Sequence, residues 1–212
     1  MSTSAGTKLV GKLHGKFVHG RRVATLARQL AERIPPNLRV LDIGCGDGSI
    51  AGLIAELRPD ISISGVEVLP RPGCKVACEP FDGENLPFPE NSFDLCMMVD
   101  VLHHTPDVRV LLKEACRVSK SYVLLKDHLD ENFLDHATLR VMDWVGNRPH
   151  GVRLTYNYQS QELWERHFAE CGLKKESWST DVSLYPAPVS WVAGRKLHFI
   201  SLLKKESSPG PG

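Results

Sequence analysis

Residues 39–67 most narrow what this chain can fold into. A β-branched run, Arg39–Ile43 (RVLDI), leads directly into Gly44-Cys45-Gly46-Asp47-Gly48. Ser49 to Leu57 follows with apolar residues at Ile50, Leu53, Ile54 and Leu57, the spacing of a buried helix face, and Arg58-Pro59-Asp60 breaks it. Ile61 to Val66 then alternates into a second strand that closes on Glu67. Strand, tight glycine turn, helix and strand form a βαβ unit. The two strands must run parallel, because the helix carries the chain back to the end where it started. The expected class is therefore α/β. The 212 residues fall within the size of one core of roughly 100–250 residues.

The rest of the chain extends the same alternation. Val68 to Cys74 carries two prolines and a glycine, so the next crossover is expected to be loop without a helix. Lys75 to Glu79 is a brief third strand, and Phe93 to Val99 (FDLCMMV) is apolar throughout, as a strand buried on both faces should be. Helical spacing returns at Val108 to Val118, Asp130 to Val145 and Gln161 to Cys171. Tyr122 to Leu125 is a fifth strand, and Leu173 to Thr180 and Lys196 to Leu203 are the remaining strand candidates. We expect one domain over residues 1–206, with a helical cap at 1–36, an α/β core at 37–206, and a disordered Ser/Pro/Gly tail at 207–212.

Composition removes several classes. A formal net charge of +1 excludes a strongly basic nucleic-acid binder, and no apolar run approaches the roughly 20 residues of a membrane span. The six cysteines fall at irregular spacings with no CxxC pair, and Cys74/Cys78 has no second ligand pair nearby in sequence. They read as reduced thiols of a cytoplasmic protein, with no metal site expected. Before the first acidic residue, Glu32, the chain is basic, as a transit presequence would be. The apolar stripe Phe17, Val18, Val23, Leu26, Ala27, Leu30, stopped by Pro35-Pro36, favours a folded amphipathic cap.

A glycine turn between strand and helix brings backbone close to a ligand, and the helix N-terminus favours an anion. Here the spacing is G-x-G-x-G with Ser49 next. It is neither the G-x-G-x-x-G/A of a dinucleotide fold nor a P-loop, which needs Gly-Lys-Ser/Thr. Asp42 just before the turn and Asp47 within it would repel a pyrophosphate and tolerate a ligand carrying ammonium and sulfonium charges. Glu67, 23 residues past Gly44, is placed to accept hydrogen bonds from two ribose hydroxyls.

The stretches VLDIGCGDG (40–48), GVEV (65–68), FDGENLPFPENSFD (81–94), VDVLHH (99–104) and LLKEACRV (111–118) resemble the class I S-adenosylmethionine-dependent methyltransferases, and within them the methyltransferase type 11 group. The resemblance covers about residues 38–127. It implies a Rossmann-like, doubly wound seven-stranded sheet in order 3-2-1-4-5-7-6, with strand 7 antiparallel. It also implies S-adenosylmethionine as cofactor and S-adenosylhomocysteine as product. Carried onto this sequence, Gly44, Cys45 and Gly46 would pass under the methionine and ribose, with Asp42 near the ammonium. Glu67 would hold the ribose and Val68 would pack on adenine. Asp82 and Gly83 would serve the adenine edge, and Asp100 and Val101 would floor the sulfonium. The short crossover after Glu67 and the missing Pro-Gly-Gly turn before strand 5 depart from the family's pattern.

Ligands of open α/β sheets lie beyond the carboxyl ends of the strands. His103 and His104 follow strand 4, and Asp127 and His128 follow strand 5, so an acceptor would meet the methyl group there. His104 and His128 are the candidate proton acceptors. The polar stretch 147–158 adds His150, Arg153, Tyr156 and Tyr158 as acceptor-binding candidates, while Trp144 and Trp164 read as core or cap. The expected activity is methyl transfer to a small-molecule oxygen, nitrogen or carbon nucleophile, with no nucleic-acid partner. A catalytically silent S-adenosylmethionine-binding scaffold is the alternative.

Overall fold

The computed structural model describes residues 20–147 (side chains through 144), 155–182, 184 and 196–206. Seven strands form one sheet: β1 (Arg39–Ile43), β2 (Ser62–Glu67), β3 (Cys78–Pro80), β4 (Phe93–Val99), β5 (Ser119–His128), β6 (Leu173–Ser179) and β7 (His198–Lys205). Their order is β3-β2-β1-β4-β5-β7-β6. The first five strands pair parallel, and β7 runs antiparallel to both β5 and β6, as the sequence led us to expect.

Alternation along the central strands feeds two cores. Leu41, Ile43, Cys96, Met98, Val123 and Leu125 face a layer built by α3 (Val108–Val118) and α5 (Gln161–Glu170). Val40, Leu95, Met97 and Leu124 face the opposite layer, made by α1 (residues 20–31) and α2 (Ser49–Leu57). Helices on both faces account for the unbroken apolarity of β4. Leu26, Ala27 and Leu30 of α1 are fully buried against the sheet, so the expected cap is a structural layer of the fold. Phe17 and Val18 lie outside the described residues. The fourth helix, α4 (Phe133–Asn147), packs Leu139 with Tyr158 and Leu197 in a third small cluster. Trp164 is fully buried as expected, but Trp144 is half exposed on α4 and does not belong to that core.

Three expected boundaries, two of strands and one of a helix, need correction. β3 is Cys78–Pro80 and not residues 75–79, because Gly65 of β2 first finds its register partner at Cys78. α4 begins at Phe133, where the Asn132 side chain accepts from the Leu134 and Asp135 N–H groups. β5 runs to His128, so Asp127 and His128 are its last residues and do not follow it. The polar triplet Lys126-Asp127-His128 continues the strand because β7 pairs with it, at Ile200, Phe199 and His198 respectively. The crossover between β2 and β3 contains no helix, as expected.

Candidate active site

The turn after β1 is held in shape by three glycines with left-handed φ: Gly44 at 72°, Gly46 at 61° and Gly48 at 71°. At Gly44 a side chain is excluded twice, since a Cβ would also stand 2.8 Å from Val101 Cγ2. Val101 therefore sits directly on the turn. At Gly46 no atom of the described residues lies within 4 Å of where a Cβ would be.

Glu67 closes the turn from β2. Its Oε2 accepts from the Gly46 N–H at 2.7 Å and its Oε1 from the Val68 N–H at 2.9 Å. An ionised carboxylate offers about four lone-pair sites, so acceptor capacity remains. Asp42 is 3% exposed and, among the described residues, accepts no hydrogen bond. Burial, reinforced by the nearby Glu67, pushes its carboxyl up to about 8. A buried carboxylate that lacks a counter-charge suits an ammonium group placed beside it. That donor chemistry fits the amino-acid end of S-adenosylmethionine and would be wrong for a phosphate.

Val68 is half exposed and faces Gly83 across the cleft edge, where a Cβ on Gly83 would stand 3.4 Å from Val68 Cγ2. Asp82 is engaged with its own loop: Oδ1 accepts from the N–H groups of Glu84 and Asn85, and Oδ2 accepts from the Asn85 side chain at 2.8 Å. These bonds hold its carboxyl below the usual range.

Beyond β4 and β5 lies a dense ionisable network. Asp100, at a left-handed φ of 58°, pairs with Arg22 of α1 at 2.5 Å and with the fully buried Lys126. Burial alone would raise the Asp100 carboxyl, but Lys126 and Arg22 hold it well below its ordinary range. Lys126 also lies 3.3 Å from His198 Nδ1, and burial drives the His198 imidazole well below its usual value. Asp127 receives the Leu102 N–H at 3.0 Å and sits 2.7 Å from His103 Nδ1, so the 3₁₀ turn Leu102–His104 is anchored to the end of β5.

His103 is 1% exposed, with Asp143 3.5 Å from its other nitrogen. Burial opposes its charge, but Asp127 outweighs that and raises its pKa. His128 is 5% exposed, its Nδ1 lies 3.2 Å from both Asp127 and His103, and burial lowers its pKa. His104 packs against His103 with ring centroids 4.0 Å apart and the rings tilted by 44°, and burial plus the neighbouring His103 push it down to about 4. Its Nδ1 is buried without a hydrogen-bond partner among the described residues.

The segment after α4 is stitched to this turn. Thr155 Oγ1 donates to the His103 carbonyl at 2.6 Å, and Asn157 donates to the carbonyls of His103 and Thr105. Tyr158 donates to Asp143 at 2.6 Å and is buried, and Tyr156 has Arg140 over its ring at 4.7 Å. His150 and Arg153 lie outside the described residues. The fold thus brings His103, His104, Asp127, His128 and Tyr158 together, with His104 the least enclosed of the three histidines. Sequence reading gave no site role to Arg22, Lys126, Asp143 or His198. A lysine inside an otherwise apolar strand was the available signal for Lys126.

A third group lies at the rim of the glycine turn, where the sulfurs of Cys45, Cys74 and Cys78 fall within 4.8 Å of one another.

A family profile described as a methyltransferase domain matches residues 15–177. Together with the sheet order and the turn, it shows that this chain belongs to the class I S-adenosylmethionine-dependent methyltransferases, whose cofactor is S-adenosylmethionine. The chain is 31% identical over 171 residues to 27-O-demethylrifamycin SV methyltransferase of Amycolatopsis mediterranei, covering 72% of this chain and 59% of that protein. It is 27% identical over 155 residues to a ubiquinone/menaquinone biosynthesis C-methyltransferase of Rickettsia bellii, covering 60% and 62%. The match therefore spans only about 60% of the length of these curated relatives. A solved S-adenosylmethionine-dependent methyltransferase of Thermotoga maritima shares the fold at TM-score 0.60 and 22% identity, covering 94% of this chain and 97% of that one. No helix among the described residues is long and apolar enough to cross a membrane.

Proposed function

We propose that this protein transfers the methyl group of S-adenosylmethionine to an oxygen, nitrogen or carbon nucleophile of a small molecule by in-line displacement. When bound, S-adenosylmethionine supplies a methyl carbon activated by a positive sulfur. The observation that carries the reading is Asp42, a buried carboxyl with no counter-charge among the described residues, beside a turn where none of those residues stands against the Gly46 backbone.

In this reading Asp42 complements the ammonium group, and the Gly44–Gly46 backbone, with Cys45, lets the cofactor approach closely. Glu67 uses its remaining lone pairs for the ribose hydroxyls. Val68 and Gly83 form the wall for adenine, and Asp82 offers the acceptor capacity its own loop leaves. Val101 and Asp100 floor the reacting end. Because Arg22 and Lys126 already neutralise Asp100, that carboxylate shapes the floor more than it attracts charge.

Alignment and exclusion of water do most of the work in such a displacement. His104, neutral above about pH 4 and the least enclosed of the three histidines, would take the acceptor's proton. His103 and Asp127 act as positioning residues that fix His104 from behind, and His128, whose pKa burial lowers, is the second candidate proton acceptor. Tyr156 and Tyr158 belong to the acceptor side. A rifamycin-type and a quinone-type relative both act on small molecules by their names, which supports an acceptor of that size.

Calorimetry tests the cofactor half of the proposal. S-adenosylhomocysteine should bind one per chain, and Glu67→Ala should weaken it at least tenfold. Equal affinity in Glu67→Ala and Asp42→Asn would overturn it. Transfer of labelled methyl to a metabolite extract separates an enzyme from a silent scaffold.

A further inference from the structure

The glycine turn, the β2–β3 crossover and the first residue of β3 each deliver one thiol to the same place. Cys45 Sγ lies 3.5 Å from Cys78 Sγ, and Cys74 Sγ completes a triangle with no side above 4.8 Å. Cys45 and Cys78 belong to different strands' ends, with β2 running between β1 and β3. They meet because the β2 residue separating them is Gly65, where a Cβ would stand 2.5 Å from Cys45 Sγ. Gly48 makes the matching space for Cys74, since a Cβ there would stand 2.8 Å from Cys74 Sγ. The crossover is tied down over the turn by the Lys75 N–H, which donates to the Asp47 carbonyl at 3.0 Å. The departure noted in the sequence, a crossover too short for a helix, is what folds Cys74 back onto the turn.

We propose that Cys45, Cys74 and Cys78 form a three-thiolate site for one soft divalent cation of the zinc and cadmium type. Thiolate sulfurs about 2.3 Å from a tetrahedral zinc stand about 3.8 Å from one another, close to the 3.5 Å between Cys45 and Cys78 and inside the 4.8 Å within which all three sulfurs lie. Small side-chain rotations close the difference. The donor set contains sulfur alone, which selects against magnesium and calcium. All three residues are partly exposed, so an ion has a route in. Cys96 and Cys116, by contrast, are buried in the apolar core as ordinary small hydrophobes.

On binding, three S–H bonds break, three protons pass to solvent, and three sulfur–metal bonds form. No electron is transferred, and the fourth coordination position goes to water. Burial pushes the Cys45 and Cys78 thiols up, so these two are protonated at neutral pH and must give up their protons to the incoming ion. A Cys45–Cys78 disulfide would use only two of the three sulfurs and would leave the placement of Cys74 unexplained.

The experiment uses the reduced, metal-free full chain under a non-thiol reductant. Titration with cadmium should raise the thiolate-to-cadmium ultraviolet absorption to saturation at one ion per chain, with release of about three protons per ion. Zinc should shield Cys45, Cys74 and Cys78 from iodoacetamide in peptide mass spectrometry and leave labelling of Cys171 unchanged. Cys74→Ser and Cys78→Ser should each lower cadmium affinity at least tenfold, while Cys171→Ser should not. The proposal is overturned by a stoichiometry well below one, or by undiminished affinity in both serine variants. It is equally overturned by zinc-independent alkylation of the three cysteines in the unaltered protein, a readout that needs no variant to fold.

Discussion

Arg22 of α1 and Asp100 at the end of β4 meet at 2.5 Å across 78 positions of sequence, joining the helix that covers one sheet face to the floor of the candidate site. Asp100 holds a left-handed backbone conformation that non-glycine residues seldom adopt, and its N–H donates to the Lys126 carbonyl at 2.8 Å. Two cations therefore fix one strained residue. Replacing one partner of a part-buried pair leaves the other charge short of compensation. We expect Arg22→Met to lower stability by about 1–3 kcal/mol, discounted from the fully buried case because the arginine is partly solvated. Thermal melting checks this, and an unchanged midpoint would show that Lys126 alone suffices.

Asp42 makes cofactor affinity depend on pH with a definite sign. In the free protein its carboxyl stays protonated up to about pH 8, whereas in an unfolded chain it ionises near 4. Stability from this group is therefore lost as pH rises from about 4 to about 8, because the folded state binds the extra proton. An ammonium beside Asp42 favours the carboxylate, so binding should release a proton below pH 8. Affinity should then climb as pH approaches 8. Calorimetry in buffers of different ionisation enthalpy should detect that proton, and Asp42→Asn should abolish it.

Gly44 and Val101 form a pair that substitution can dissect. Gly44→Ala introduces a Cβ 2.8 Å from Val101 Cγ2 at a φ of 72°. The left-handed backbone costs an L-residue roughly 1–2 kcal/mol, and the clash adds to that. Gly44→Ala should therefore be destabilising by more than the backbone cost alone. Val101→Ala in the same chain should recover the clash portion, and denaturant unfolding of the double variant measures it.

His104 should separate chemistry from binding. If it receives the acceptor's proton, His104→Gln should lower kcat by about 10²-fold while the affinity for S-adenosylhomocysteine stays within about twofold. Because burial and His103 hold its pKa at about 4, its acid limb should lie near pH 4 and not near 6.5. Activity assays from pH 5 upward should then show no loss attributable to this residue.

Much of the frame was readable in the chain. β1, α2 and α3 end where the sequence puts them, because an apolar period, a glycine turn and an Asp107 cap each mark a boundary locally. The end of β5 is not legible in the sequence, because Lys126, Asp127 and His128 have the composition of a loop. Their burial depends on partners far away, at Asp100, His103, His198 and Phe199. The thiol triangle escaped for a related reason. Cys45 lies 29 residues before Cys74, and only the bare Gly65 between the strands lets it join the other two. Asp82 was legible by position, but the bonds to Glu84 and Asn85 that occupy it were not.

Three consecutive residues at the tip of β5 divide their contacts: Lys126 and His128 neighbour Asp100 and His198, while Asp127 turns its carboxylate to the 3₁₀ segment. The tip is thus a compact cassette. Because β7 keeps the backbone in register, exchanging the tip's side chains would change the polarity beyond β4 and β5 without rebuilding the scaffold.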